Sequence, residues 1–208
     1  MKRSLLLPFL RSQTQGDLLA LLFLNPEREF TIAEVARQIG VSAPGVHHEV
    51  TRLYEAGLIA DRRDGQSRKI RALQTSVVAK PLFDLLAVTY GPLPVLTKEL
   101  AHIKGMDRAY IYGSWAARYS GRTGKVPNDI DVLIVGSADL DELDAAALRA
   151  RSVLLREVDI QRVSTSDWQK AVSKSKDASP FLVTILANPL IEIHTSLEKS
   201  EQYEKVTG

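Results

Sequence analysis

The stretch Asn128-Asp129-Ile130-Asp131-Val132-Leu133-Ile134-Val135 alternates polar and apolar side chains and then becomes continuously apolar. This pattern predicts a β-strand, because successive strand side chains point to opposite faces. Asp129 and Asp131 then leave one face together, while Ile130 and Val132 enter the other. Two like charges held this close require a cation between them, and a hard divalent metal with oxygen ligands is the natural occupant.

The composition is that of a globular protein. The chain has 208 residues, of which 45% are hydrophobic and 25% charged, enough for one large domain or two small ones. It has no Cys, which excludes disulfides, thiolate zinc sites and a Cys nucleophile, and which fits a reducing compartment. No apolar stretch approaches the roughly 20 residues that span a bilayer. We therefore expect a soluble, cytoplasmic protein without a membrane partner.

The small net charge is unevenly distributed. Residues 1–75 contain 11 Lys and Arg against 8 Asp and Glu, a net charge of +3, whereas the remainder contains 16 against 17, a net charge of −1. A basic excess supports contact with nucleic acid only where it lies on one face. The charge thus directs attention to the amino-terminal third.

This amino-terminal third has the pattern of three helices. The first is predicted over residues 16–23. The second has Thr31 as its N-cap, with Glu34 completing a capping box, and ends at Gly40. The third is capped by Ser42, and its apolar side chains recur at helical spacing at Val46, Val50 and Leu53. A tight turn between the second and third helices predicts a helix-turn-helix.

A basic β-hairpin is predicted after the third helix. Leu58-Ile-Ala60 and Lys69-Ile-Arg-Ala-Leu73 have strand composition, and Asp64-Gly65 between them is a strong turn signal. Four cations lie around this turn: Arg62, Arg63, Arg68 and Lys69. We interpret the hairpin as a basic wing.

The segment from Phe30 to Leu73 resembles the winged helix-turn-helix of bacterial repressors, in Thr31-Ile-Ala-Glu-Val-Ala-Arg-Gln-Ile-Gly-Val-Ser42 and Leu53-Tyr-Glu-Ala-Gly-Leu-Ile59. The resemblance implies double-stranded DNA as a partner, a third helix in the major groove, a wing on phosphate or minor groove, and a homodimer. By helical phase, the outward residues of the third helix are Ser42, Pro44, Gly45, His47, His48, Thr51 and Arg52. Winged helices also serve as dimerisation or protein-docking units, so that alternative stays open.

The expected organisation has two domains joined by a helix. Residues 77–90 are mostly apolar, with Pro81 in the first helical turn, and Gly91-Pro-Leu-Pro94 breaks the pattern. We predict a winged helix-turn-helix over residues 1–78, a helical linker over 79–92 and a second domain over 93–208.

The second domain resembles the polymerase-beta-like nucleotidyltransferases, especially the minimal bacterial kind, in Ile111-Tyr-Gly-Ser-Trp-Ala-Ala-Arg-Tyr119 followed by residues 128–135. The resemblance covers roughly residues 93–195 and implies an α/β (α+β) fold with a mixed sheet flanked by helices. Ser114 and Asp129 are fifteen positions apart, and the excess over the short spacing of minimal members lies in residues 121–127.

The resemblance also implies the chemistry of the site. Gly113 lets the backbone approach a nucleoside triphosphate, and Ser114 can donate to a phosphate oxygen. Asp129 and Asp131 would hold Mg²⁺ or Mn²⁺, and Asp159 is where the family carries its third acid, with Glu157 on the same face as the fallback. Two cations are candidates to pair with the phosphates: Arg118 and Lys125.

Three functions are compatible with these patterns. The first is a DNA-binding transcriptional regulator whose second domain transfers NMP from an NTP to an unknown acceptor. The second is a nucleotide-sensing repressor without turnover. The third is an antitoxin-like nucleotidyltransferase that acts on a toxin-like protein partner.

Overall fold

The computed structural model describes residues 10–65 and 67–194. The chain divides into two compact units between Pro94 and Val95, and the structure has two sheets, of three and four strands. In those residue ranges, no helix has both the length and the apolar character needed to cross a membrane.

The first unit is an antiparallel sheet with the strand order β1-β3-β2 and four helices. Its elements in chain order are α1 Gln13–Phe23, β1 Phe30–Thr31, α2 Ile32–Ile39, α3 Ala43–Glu55, β2 Ile59–Asp64, β3 Ser67–Ala72 and α4 Ala79–Tyr90. Helices α2 and α3 joined by a short turn, followed by the β2–β3 hairpin, form the predicted winged helix-turn-helix.

The caps of α2 confirm the predicted boundaries. The Thr31 hydroxyl accepts from the Glu34 backbone N–H at 3.2 Å, and the Glu34 carboxylate accepts from the Thr31 N–H at 2.7 Å. Gly40 ends the helix in the left-handed region, at φ 70°. Ser42 departs from the prediction, since it is the N-cap of α3 but its side chain makes no capping hydrogen bond. Pro44 in the first turn supplies a backbone already set for the helix instead.

The core of the first unit lies between its helices and the sheet. The apolar positions predicted for α3 are buried, with Val46 and Val50 wholly inaccessible. Leu22 of α1, Val35 of α2 and Ile70 of β3 are equally inaccessible. Helical spacing therefore identified the inner face of α3 correctly.

The second unit contains a mixed sheet with the order β6-β5-β4-β7, in which β5 and β6 are parallel and the other pairs antiparallel. Helix α5, Pro92–Leu100, contains the boundary between the two units. The elements that follow it in chain order are β4 Met106–Tyr112, α6 Gly113–Tyr119, β5 Asp129–Gly136, α7 Leu140–Leu154, β6 Glu157–Val163, α8 Thr165–Val172, α9 Pro180–Leu186 and β7 Ile191–Glu192. The mixed sheet matches the expectation from the sequence, and β7 lies at its edge.

The two faces of this sheet differ along β5. Ile130, Val132 and Ile134 are inaccessible to solvent on one face. On the other face, Leu133 and Val135 join a buried cluster with residues of β4, α8 and α9: Tyr110, Trp168, Ala171, Leu182 and Ile185. This cluster covers the far end of β5, whereas at its start Asp129 is exposed and Asp131 half-buried. An open region therefore remains beside a packed core.

Replacing Thr31 by Ala should lower the free energy of unfolding by about 1 kcal/mol, because α2 loses the hydroxyl that accepts the Glu34 N–H. Chemical denaturation followed by circular dichroism measures the loss. Thr31→Ser keeps the hydroxyl and is the matched control. An equal loss in the two variants would show that the hydroxyl does not stabilise the helix.

Candidate functional site

The outward face of α3 is exposed as its helical phase predicts. Arg52 and Thr51 are half-buried, and the rest of the predicted set is exposed: Ser42, Pro44, Gly45, His47 and His48. The Thr51 hydroxyl donates to the His47 carbonyl at 3.0 Å, so part of its hydrogen-bonding capacity is used within the helix. The face is small and polar, with no large apolar side chain among these residues. Contact of these residues with DNA bases stays a prediction.

Glu49 lies on the inner side of the same helix and is 8% exposed. Its Oε1 lies 3.5 Å from Arg52 Nη1 and 3.6 Å from Arg11 Nη2, while its buried Oε2 has no hydrogen-bond partner in the described part of the chain. A buried carboxylate is costly unless its charge is paired. The Glu49–Arg52 spacing of three positions could have indicated this pair, but its burial depends on packing.

The wing places like charges directly opposite one another. In the β2–β3 register, Arg62 faces Lys69 and Arg63 faces Arg68. Like charges at facing positions destabilise an antiparallel pair. This repulsion must be offset by carboxylates near the facing cations.

Carboxylates partly compensate the charge of the wing. Arg62 makes a two-pronged contact with Glu29, with Nε at 2.9 and 3.0 Å and Nη2 at 2.7 Å from its oxygens. The hydrogen bond from Arg62 is the main reason why the pKa of Glu29 lies below its ordinary value. These two residues are 33 positions apart in the sequence, so their pairing could not be predicted from local spacing.

Two of the cations on β3, Arg68 and Lys69, are also paired. Arg68 Nε lies 2.6 Å from Asp61, and Lys69 Nζ lies 2.6 Å from Asp64. Arg63 is the exception, since it has no ion-pair partner among residues 10–65 and 67–194. Arg63 is thus the wing cation most available to a phosphate.

In the second unit, the predicted acids lie on the adjoining strands β5 and β6, beside Tyr112 of β4, and we call these side chains the acidic row. Asp131 of β5 is the register partner of Asp159 on β6 and of Tyr112 on β4, and Asp129 is the partner of Glu157. Register partners share a face, and residues two apart on a strand also share it. The structure therefore brings Asp129, Asp131 and Asp159 to one face, with Tyr112 beside them. Tyr112 was missed because the sequence does not reveal which strand pairs with β5.

Burial and charge together raise pKa values in the acidic row. Burial, and then the charges of Asp129 and Asp159, raise the pKa of Asp131 above its ordinary value. Burial, and then the charges of Asp131 and Asp159, raise the pKa of Tyr112 to about 12. Within the described residues, no side chain pairs with the carboxylate of Asp129 or Asp131. The three acids thus repel one another without a compensating protein cation.

The chemistry of this donor set fits a hard divalent cation, since carboxylate oxygens are the ligands that Mg²⁺ and Mn²⁺ prefer. The side chains are not gathered around one point, because the described residues contain no three such groups positioned to hold a metal ion. The Asp159 carboxylate instead accepts hydrogen bonds from Gln161 Nε2, at 3.4 Å to Oδ1 and 3.3 Å to Oδ2. Metal binding by these acids stays a prediction, and it requires side-chain rotation.

Gly113 touches this row through its backbone. It has φ 65°, and a Cβ built on it would lie 2.3 Å from Asp131 Oδ2. Glycine is needed here to adopt the left-handed conformation and to admit the Asp131 carboxylate. The Asp131 carboxylate therefore occupies the space beside Gly113 that was predicted to admit a triphosphate. The neighbouring Ser114 is exposed.

The two predicted phosphate-binding cations differ in their surroundings. The Arg118 guanidinium donates to the carbonyl oxygens of Arg122 at 3.3 Å and Lys125 at 2.7 Å, and also to that of Gly124. It therefore holds the loop of residues 121–127, and a contact with phosphate would require release of these bonds. The Lys125 side chain is exposed. Both phosphate contacts stay predictions.

No protein-family model and no curated protein matches the chain. Among solved structures, reduced HlyU from Vibrio cholerae N16961 is similar over 40% of this chain and 82% of its own, at 19% identity and TM-score 0.33. MepR, a transcription regulator of the Staphylococcus aureus multidrug efflux pump MepA, matches over 40% and 60%, at 20% identity and TM-score 0.34. NolR from Sinorhizobium fredii matches over 36% and 82%, at 24% identity and TM-score 0.29.

Replacing Gly113 by Ala should destabilise the second unit, because a side chain at φ 65° costs about 1–2 kcal/mol and its Cβ also meets Asp131. Tryptophan fluorescence during urea unfolding reports on this unit, since Trp115 and Trp168 are the two tryptophans of the chain.

The matched control is Gly121→Ala, which also has a positive φ, 91°, but open space around the added Cβ. We expect the larger loss at Gly113, and a smaller difference when Asp131 is also replaced by Ala. Equal losses at the two glycines would contradict the contact between Gly113 and Asp131.

Proposed function

We propose that the chain is a DNA-binding transcriptional regulator whose second unit is a metal-dependent nucleotidyltransferase. The exposed polar face of α3, held over a buried apolar face and followed by a basic hairpin, carries the DNA-binding part. The row of carboxylates beside Gly113 supports the second part. The regulator is proposed to act as a homodimer, as its resemblance to repressors implies.

In the DNA-binding part, α3 lies in the major groove of double-stranded DNA. The small residues Ser42 and Gly45 permit a close approach of the helix, and His47 and His48 offer polar contacts to base edges. Arg52 would pair with guanine or a phosphate, and its guanidinium lies 3.5 Å from Glu49 Oε1, which restrains its position. The wing adds contacts to phosphates.

The carboxylates of the wing do not prevent phosphate binding. An exposed ion pair contributes little to stability, so exchanging Glu29 for a phosphate costs Arg62 little. Release of counterions from DNA favours the exchange and makes binding depend steeply on salt. The carboxylates offset the repulsion between facing cations in the free protein, which keeps the wing folded until DNA replaces them.

Two separate variants, Arg52→Ala and Arg62→Ala, should each weaken binding to a DNA operator. The loss at Arg52 should depend on sequence, whereas the loss at Arg62 should be similar for all sequences and should reduce the salt slope by about one. Fluorescence anisotropy with labelled duplexes at several salt concentrations measures both quantities.

Arg149→Ala in the second unit removes the same charge from α7 and should leave DNA affinity nearly unchanged. Binding of the intact protein that is equally tight at low and high salt would contradict the role of the wing.

In the second unit, Asp129, Asp131 and Asp159 are the residues that would hold the metal. When bound, Mg²⁺ or Mn²⁺ neutralises charge on the transferring phosphoryl group. Ser114 would donate to a phosphate oxygen, and Asp159 would accept the proton of the attacking hydroxyl. The acceptor oxygen forms a bond to the α-phosphorus of an NTP while the bond to the leaving oxygen breaks, which releases pyrophosphate.

A nucleotide sensor without turnover is the second candidate. One observation favours it: the described acids are not gathered at one point, as metal-dependent transfer requires. Both functions require nucleotide binding, and only the first requires a transferred NMP.

Replacing Asp129 and Asp131 together by Ala should abolish Mg²⁺-dependent nucleotide binding and any transfer of label from α-labelled NTPs to components of a cell lysate. Asp144→Ala with Asp177→Ala removes the same charge from exposed positions and is the control. If neither binding nor labelling changes in the first variant, the site is assigned wrongly. Nucleotide binding without labelling by the intact protein would favour the sensor.

A further inference from the structure

Helix α4 is apolar on two opposite sides. Phe83, Leu86 and Ala87 are buried against the rest of the first unit. On the other side, Leu85 is 48% and Val88 60% exposed. A helix at the surface of a globular protein ordinarily has polar residues opposite its buried face. Helix α4 therefore carries a second apolar face that its own unit does not cover.

The exposed apolar residues form a continuous stripe. Val78, Pro81, Leu85 and Val88 are exposed and follow one another at intervals of three, four and three positions. Residues at these intervals lie along one side of a helix, one above the other. Scattered exposed apolar residues need no explanation, but a stripe of this spacing is the pattern of a helix–helix seam. We call these four residues the α4 stripe.

We propose that the α4 stripe is the surface on which a second copy of this chain docks, with the two α4 helices antiparallel. The inference names the surface of the homodimer that the proposed function expects, but it rests on α4 alone and not on binding of DNA.

The spacing of the stripe is self-complementary under two-fold symmetry. In an antiparallel pair centred on position 83, Val78 lies against Val88 of the partner subunit, and Pro81 lies against Leu85 of the partner subunit. A two-fold interface uses the same patch on both copies, so each apolar residue must meet an apolar residue of the same patch. The stripe satisfies this condition at all four positions.

Charges beside the stripe favour the same orientation. Lys80 and Asp84 lie on one flank of the stripe and pair with each other along the helix. In an antiparallel two-fold pair, this flank lies on the same side of the seam in both copies, and the two helices run in opposite directions. Lys80 therefore lies beside Asp84 of the partner subunit. A parallel two-fold arrangement would instead place this flank on opposite sides of the seam in the two copies, so that Lys80 and Asp84 of one copy meet neither residue of the other.

The test is the oligomeric state of the full chain, measured by sedimentation velocity over a range of concentrations. The wild-type chain is expected to be a dimer, and Leu85→Glu with Val88→Glu should weaken association by about a hundredfold, because two charges enter an apolar interface. Circular dichroism should show that the variant remains folded. The matched control, Leu148→Glu with Val153→Glu, changes similarly exposed residues of α7, which lie five positions apart and form no stripe.

A charge exchange tests the orientation. Lys80→Asp alone should weaken the dimer, and adding Asp84→Lys should restore it, because the two charges then meet in reversed order. A wild-type chain that sediments as a monomer would overturn the proposal while leaving the DNA-binding proposal standing. A dimer that survives the Leu85 and Val88 changes would also overturn it, since the copies would then meet elsewhere.

Discussion

The strict alternation of side chains along β5 determines where the acids of the second unit lie. Ile130 and Val132 are inaccessible to solvent, and the pleat of the strand then sends Asp129 and Asp131 to the opposite face. The parallel register with β6 adds Asp159 to the same face. A slip of one residue would reverse every side chain of β6 and separate the acids. Burial of apolar residues on one side therefore holds like charges together on the other.

The same division of faces governs α3, with one exception. Val46 and Val50 are inaccessible, so the residues between them turn outward as a polar face. Glu49 breaks the rule, because a carboxylate lies on the inner side with one oxygen unpaired. Replacement of a weakly paired buried charge by an apolar residue is often neutral or stabilising, so stability alone does not account for this residue. Its proximity to Arg52 gives it a part in orienting the exposed face.

Most cations of the two candidate sites are already bonded to oxygen atoms. Glu29 holds Arg62, Asp64 holds Lys69, and loop carbonyls hold Arg118. Such contacts fix the position of each cation, and the exposed ion pairs among them contribute little to stability. The facing cations of the wing would otherwise repel one another. Internal pairing thus keeps this positive charge in place.

The sequence by itself determined the elements and their faces, because caps, turns and periodicity depend on residues close together in the chain. The capping box of Thr31 and Glu34, the Asp64-Gly65 turn and the inner face of α3 could all be predicted in this way. Two local details differed: Ser42 makes no capping hydrogen bond, since Pro44 already favours the start of that helix, and α1 begins at Gln13 and not at residue 16.

Only the tertiary structure decided which side chains meet. The pairing of Arg62 with Glu29, the contact of Asp131 with Gly113 and the place of Tyr112 in the acidic row join residues distant in sequence. The same holds for the burial of Glu49 and for the exposure of the α4 stripe. Periodicity reveals which way a side chain points, but its neighbour is determined by the packing of other elements against it.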